Sequence, residues 1–203
     1  MVHSSELSQA NQATFEDELW EGLDETVFRT ATGVKNRTIA YGMWHSSRIE
    51  DITMNILVAD GAQVIDSDNW IKRINSRIKD TGNAMGAEEI LEFSSDIDMR
   101  ELRNYRAAVG RRTRELIQGL GYADLKRKMD PRGLQRILDE GAVLDVEGAR
   151  WLIDFWGRKD VSGILLMPVT RHHIVHINES MTAKKRSKRE AGKKGEHSLT
   201  NIS

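Results

Sequence analysis

Apolar residues recur along most of this chain at spacings of three and four, the period of a helix, and the polar stretches between them mark where helices stop. Residues 1 to 13 are polar and read either as a loose lead-in or as the first turns of a helix. Phe15, Leu19, Trp20 and Leu23, set among Glu16, Asp17, Glu18 and Glu21, predict an amphipathic helix with an acidic outer face, and Gly22 and Gly33 punctuate the chain after it. Asn36 to Ala59 contains no proline and reads as one long helix ended by Asp60-Gly61. A short helix is expected around Trp70, Ile71, Ile74 and Ile78, capped by Ser67 or Asp68. Asp80-Thr81-Gly82-Asn83 and Gly86 then mark a long connection, with one or two helical turns over Ala87 to Phe93.

Ser94 or Ser95, followed by Asp96 and Asp98, reads as the cap of a third long helix running to about Leu120, with Leu102, Tyr105, Val109, Thr113, Leu116 and Ile117 as its inner stripe. Two short helices are expected over Tyr122 to Lys128 and Pro131 to Glu140, and another over Asp145 to Gly157. Asp160-Val161-Ser162 opens the last segment, in which Pro168 either kinks the helix or begins its regular part. With only two prolines in 203 residues, the pattern favours long helices over many short strands, so the expected fold class is all-α with a single core.

Composition narrows the chemistry. The chain has no cysteine, which excludes disulfides and thiolate metal sites and leaves His, Asp and Glu as ligands. No N-terminal stretch pairs a basic region with an apolar run of signal-peptide length, and the richest apolar window, Val161 to Val169, is too short to span a membrane. The expectation is a cytoplasmic protein. Net charge is −1, but beyond Met181 seven lysines and arginines face only Glu190 and Glu196. The body is therefore acidic, which argues against broad nucleic-acid binding. The organisation expected is a helical domain over residues 1–181 and a basic, frayed tail over 182–203 that could touch phosphate or anionic lipid.

The histidines carry the candidate chemistry. Taking His45 as origin, Thr38, Tyr41, Ile49, Ile52 and Ile56 fall within about 40° of it at about 100° per residue, so its imidazole lies in an apolar stripe and is buried. Met43, Met54, Ile39 and Leu57 make a second apolar surface, as on the inner helices of a bundle. In the last segment His172 and His176 stand four apart on one face, which Leu165 and Val169 turn inward. Two imidazoles there and one from His45 make a three-histidine site for a divalent metal with a position open to water or substrate. The competing reading makes His45 a core histidine bonded to a carbonyl. His173 is expected to be exposed or to support a ligand from outside the metal's shell. Glu179 is a fourth ligand, an acceptor orienting an imidazole, a general base, or an ordinary surface glutamate. Tyr41, one turn before His45, is a candidate proton handler beside Glu179. Glu50 with Asp51, and Asp96 with Asp98, read as solvated faces and caps. His172-His173 departs from the zinc-protease HExxH, and no GxSxG, P-loop or GxGxxG is present.

A tryptophan-histidine pair followed by R-x-E-D, here Trp44, His45, Arg48, Glu50 and Asp51, together with the distal HxxxH in MPVTRHHIVHINE, resembles the DinB-like superfamily over roughly Phe15 to Met181. The resemblance implies an up-and-down four-helix bundle with a long crossover, holding a divalent metal through one histidine of the second helix and two of the last, here His45, His172 and His176. Zinc or nickel is the expected ion, with iron or manganese as alternatives. The resemblance further implies a transferase or isomerase using a low-molecular-weight thiol, and a homodimer. Three functions stand as expectations: an enzyme joining a small thiol to an electrophile, a non-catalytic metal-binding stress-response module, and nucleic-acid binding by the tail. A small-molecule substrate, with no specific nucleic acid and no membrane, is the reading preferred.

Overall fold

The computed structural model describes residues 13–31 and 37–200, with side chains described as far as 190. Gly33 and most of the polar lead-in lie outside the described residues. Among the described residues the regular structure is helical, with one isolated bridge between Lys128 and Asp160, so the expected all-α class holds. Helix α1 (Phe15–Trp20) is opened by a capping box in which the Thr14 hydroxyl accepts from the Asp17 backbone N–H and the Asp17 carboxylate accepts from that of Thr14. It is followed by α2 (Glu25–Arg29), then α3 (Ile39–Ile52), capped by Thr38.

Every residue of α3 is buried, so both surfaces predicted for it find neighbours: it packs against α10 (His172–Thr200) and α6 (Met99–Gly119). The predicted helix to Ala59 continues beyond Ile52 as a π-helical segment over Thr53–Val58. Two apolar clusters build the core along this axis. One gathers Leu19, Trp20, Phe28, Trp44, Phe93 and Tyr105, and the other gathers Ile49, Ile52, Ile137, Leu152, Trp156 and Ile164.

Several expectations of boundary and burial are corrected. Ser94 and Ser95 end a helix, α5 (Ala87–Asp96), and α6 opens separately with Asp98 accepting from the Glu101 N–H. Serine favours a cap when its hydroxyl reaches a free N–H. Here Ser94 bonds instead to the Ile90 carbonyl and the Thr38 hydroxyl, satisfied inside its own helix. Helix α4 (Trp70–Ile74) starts after Asn69, whose φ of 54° is left-handed, and takes no side-chain cap from Ser67 or Asp68. The segment after Tyr122 is a 3₁₀ turn (Asp124–Lys126), whereas α7 (Pro131–Asp139) and α8 (Glu147–Gly157) stand close to where the pattern put them.

Glu50 and Asp51 are fully buried, not solvated, and Glu16 is 3% exposed on what read as an acidic outer face. Each has cations or donors brought by other elements. Asp51 accepts from the Arg48 guanidinium, the Tyr105 hydroxyl and the Val64 and Ile65 N–H groups, and Arg106 of α6 reaches Glu50 at 2.8 Å. Helix α9 (Val161–Ile164) leads into a second π-helical segment, Leu165–Arg171, that contains Pro168. Proline's missing N–H and ring disfavour regular i→i−4 bonding, and the wider turn accommodates it. Helix α10 crosses Met181 without a break, and Lys184, expected in a frayed tail, is buried with its ammonium donating to the carbonyls of Glu18, Leu19 and Glu21 at the end of α1.

Candidate metal centre

His45, the central candidate ligand, is positioned by the connection beyond α4. On α3, Tyr41, Trp44, His45 and Arg48 lie at i, i+3, i+4 and i+7, hence on one face, and each carries a side-chain donor. That face meets four consecutive carbonyls of the crossover. Arg48 Nε donates to Lys79 O (2.7 Å), Trp44 Nε1 to Asp80 O (3.0 Å), His45 Nδ1 to Thr81 O (2.8 Å) and the Tyr41 hydroxyl to Gly82 O (3.2 Å). The strap is held in shape by the Asp80 carboxylate, which accepts from Gly82 N at 2.7 Å, and by the Thr81 N–H bond to Ala142 O.

A carbonyl can only accept, so His45 Nδ1 carries the proton and Nε2 presents its lone pair. Tyr41 stacks on the imidazole, ring centroids 5.4 Å apart and planes 8° from parallel, which limits rotation of the ring.

From α10, His172 and His176 bring their rings 5.0 and 5.1 Å from that of His45 and 4.6 Å from each other. One ligand nitrogen from each of the three lies within 4.8 Å of the others, so the structure brings together all three expected ligands. His172 Nε2 and His176 Nε2 are 3.2 Å apart. A tetrahedral zinc ion with nitrogen ligands at about 2.0–2.1 Å has ligand-to-ligand edges of about 3.3 Å, so this pair already has the spacing of two ligands on one cation.

The electrostatics suit the same purpose. Burial, reinforced by the neighbouring His176, pushes His45 down to about 3. Burial, then His176 and His45, push His172 to about 2. Both are therefore neutral, lone-pair-bearing imidazoles at physiological pH, the form that binds metal. The three histidines can hold a divalent cation.

Around them the remaining predicted residues fall into place differently. Glu179, half-exposed, puts a carboxylate oxygen 3.1 Å from His176 Nδ1, in contact with the imidazole but not in hydrogen-bond alignment with it. The Tyr41 hydroxyl is committed to Gly82 and burial raises its pKa, which makes the phenol a poor proton handler near neutrality. His173 is completely buried rather than exposed, because α1 and the Arg106 side chain of α6 cover the flank of α10 that turns away from the site. Its Nε2 sits 3.2 Å from Glu16 Oε2 and 3.3 Å from Arg106 Nε, and burial, then the Arg106 charge, lower its pKa. This second cluster, Glu16, Glu50, Arg106 and His173, joins α1, α3, α6 and α10 behind the three histidines.

Leu165 is half-buried and a weaker guide to the His172 face than the pattern suggested, since the intervening π-turn breaks the 100° phase. The crossover carbonyls were missed because backbone acceptors have no sequence signature. Their donors did have one, a one-sided run of Tyr41, Trp44, His45 and Arg48.

No family model matches the chain, and no curated protein matches it. In fold it is similar to the crystal structure of "the conserved protein of locus from Enterococcus faecalis", which is 14% identical, with 84% of this chain and 86% of that one covered and a TM-score of 0.54. At that identity the likeness concerns the fold alone. No helix among the described residues is long and apolar enough to cross a membrane.

Proposed function

We propose that the protein is a divalent-metal-dependent enzyme of the DinB-like type, a four-helix bundle organised on α3, α6 and α10, that joins a low-molecular-weight thiol to a small electrophile. The convergence of His45, His172 and His176 within 4.8 Å carries this reading. Three imidazoles leave a coordination position open, and a zinc or nickel ion held there would supply a Lewis acid that acidifies a bound thiol or water.

The chain's own residues do the rest. Thr81 and Tyr41 fix the rotation and tautomer of His45, and Glu179, against His176, is the carboxylate we assign to accept the proton released by the thiol. Access is past His172, which is half-buried, whereas His45 and His176 are each 3% exposed.

The test is elemental analysis of freshly purified protein together with thiol consumption in the presence of a panel of electrophiles. About one zinc or nickel per chain, with turnover lost on chelation and in His45→Ala, supports the enzyme. Turnover surviving both rejects it. A full complement of metal that stabilises the fold without any thiol consumption returns the protein to the non-catalytic metal-binding module.

A further inference from the structure

Arg37, the residue before the cap of α3, stands beside the three-histidine site without belonging to it. Its guanidinium lies 5.7 Å from the centroid of the Tyr41 ring, and Tyr41 in turn stacks on His45. On its other flank it is 3.9 Å from the Glu179 carboxylate, which abuts His176. It therefore reaches toward two of the three ligands through one intervening side chain each.

Arg37 is only loosely engaged. Its side chain is 34% exposed, its contact with Glu179 is longer than a hydrogen bond, and its guanidinium donates none to any described residue. An arginine tethered over an aromatic face, with its planar fork partly exposed, is pre-organised for a planar anion. Structural arginines in this protein look different: Arg48 and Arg106 are fully buried and surrounded by carbonyl, carboxylate or imidazole groups.

We propose that Arg37 anchors a carboxylate carried by a small molecule bound at the three-histidine site, so that the site selects anionic over neutral ligands. The ligand would place its carboxylate against the guanidinium, displacing the loose contact to Glu179, and direct a second donor atom toward the nitrogens of His45, His172 and His176. This rests on the reading of those residues as a metal site and narrows its substrate to carboxylated molecules. The carboxylate belongs either to the thiol or to the electrophile, and the two cases separate experimentally.

The full-length protein loaded with Co(II) is titrated with 3-mercaptopropionate and with 2-mercaptoethanol, following the visible cobalt bands. The wild type is expected to bind the carboxylated thiol roughly tenfold more tightly, the increment of a charge-assisted bidentate contact. Arg37→Gln should abolish the preference while binding 2-mercaptoethanol as before, and Arg37→Lys, which keeps the charge but not the fork, should fall between. Propionate that competes with 2-mercaptoethanol places the carboxylate on the thiol, and propionate that binds alongside it places the carboxylate on the second substrate. Either supports the anchor. Equal affinities for the two thiols in the wild type together with no binding of propionate, or a preference or propionate binding that survives Arg37→Gln, would overturn it.

Failure of Co(II) to bind would refute the metal reading instead. The anchor would then be decided on the metal-free chain by titrating propionate and following the ring protons of His45 and His172 by NMR. Saturable shifts present in the wild type and absent in Arg37→Gln support it, and no saturable shift overturns it.

Discussion

His45 Nδ1 lies 2.8 Å from the carbonyl oxygen of Thr81, thirty-six residues away, and that bond decides which face of the imidazole is left to bind a cation. The same strap of backbone receives Tyr41, Trp44 and Arg48, so the orientation of the candidate ligand depends on the conformation of a loop that contributes no ligand of its own.

Gly82 is where that loop is most constrained. Its φ of 69° is left-handed, and a Cβ there would meet Tyr41 Cε2 at 3.2 Å. Gly82→Ala should cost about 1–2 kcal/mol for the left-handed backbone and, by shifting Tyr41 against His45, weaken metal binding several-fold. Gly148→Ala, in α8 with nothing closer than Ala84 Cα at 4.0 Å, is the control and should be neutral or stabilising. Urea midpoints and metal competition titrations check both.

His172 and His173 are adjacent and should respond in opposite ways. His172→Ala removes a candidate ligand whose Nδ1 is buried without a hydrogen-bond partner, so metal occupancy should collapse while the metal-free protein changes by less than about 1 kcal/mol. His173→Ala leaves metal stoichiometry intact but takes a hydrogen-bond partner from one of the buried pair Glu16 and Arg106, at a cost of about 2–3 kcal/mol. Metal content and urea denaturation of the two variants, measured side by side, test the assignment. The reverse pattern would exchange their roles.

Acid should unfold the metal-free protein through its histidines. In the fold His45 is held at about 3 and His172 at about 2, against an ordinary value of 6.5, so between these limits the unfolded chain binds more protons. The stability they contribute is complete above about pH 6.5 and is lost as pH falls below it. The slope should approach about 1.4 kcal/mol per pH unit for each proton taken up. Denaturation midpoints from pH 7 to 4.5 should show it, and the His45→Ala, His172→Ala double variant should flatten the curve. An unchanged slope in that variant would assign the proton uptake elsewhere.

Lys184 ties the extension of α10 to the end of α1. Lys184→Met keeps the apolar stem but removes the donors to the Glu18, Leu19 and Glu21 carbonyls, and should cost about 1–2 kcal/mol. Truncation after Met181 should destabilise at least as much, whereas truncation after Glu190 should have little effect. Thermal melts of the three proteins decide it, and equal melting temperatures would show that the basic segment contributes nothing to the fold.

Much of this architecture is written in the order of residues. The 3.6-residue period of apolar side chains sets the helical class, centres His45 in a stripe that is buried, and puts His172 and His176 one turn apart on one face. Those features are local, since each depends only on the angle a side chain takes about its own helix axis. The fate of Glu16, Glu50 and Asp51 is not local, because a carboxylate is buried or solvated according to whether another element delivers Arg106, Tyr105 or a turn's N–H groups to it. His173 is buried for the same reason, and Ser94 closes a helix rather than opening one because Ile90 and Thr38 supply its partners. The carbonyls that orient His45 belong to the backbone and are the same at every residue, so only the tertiary path of the crossover could choose Thr81.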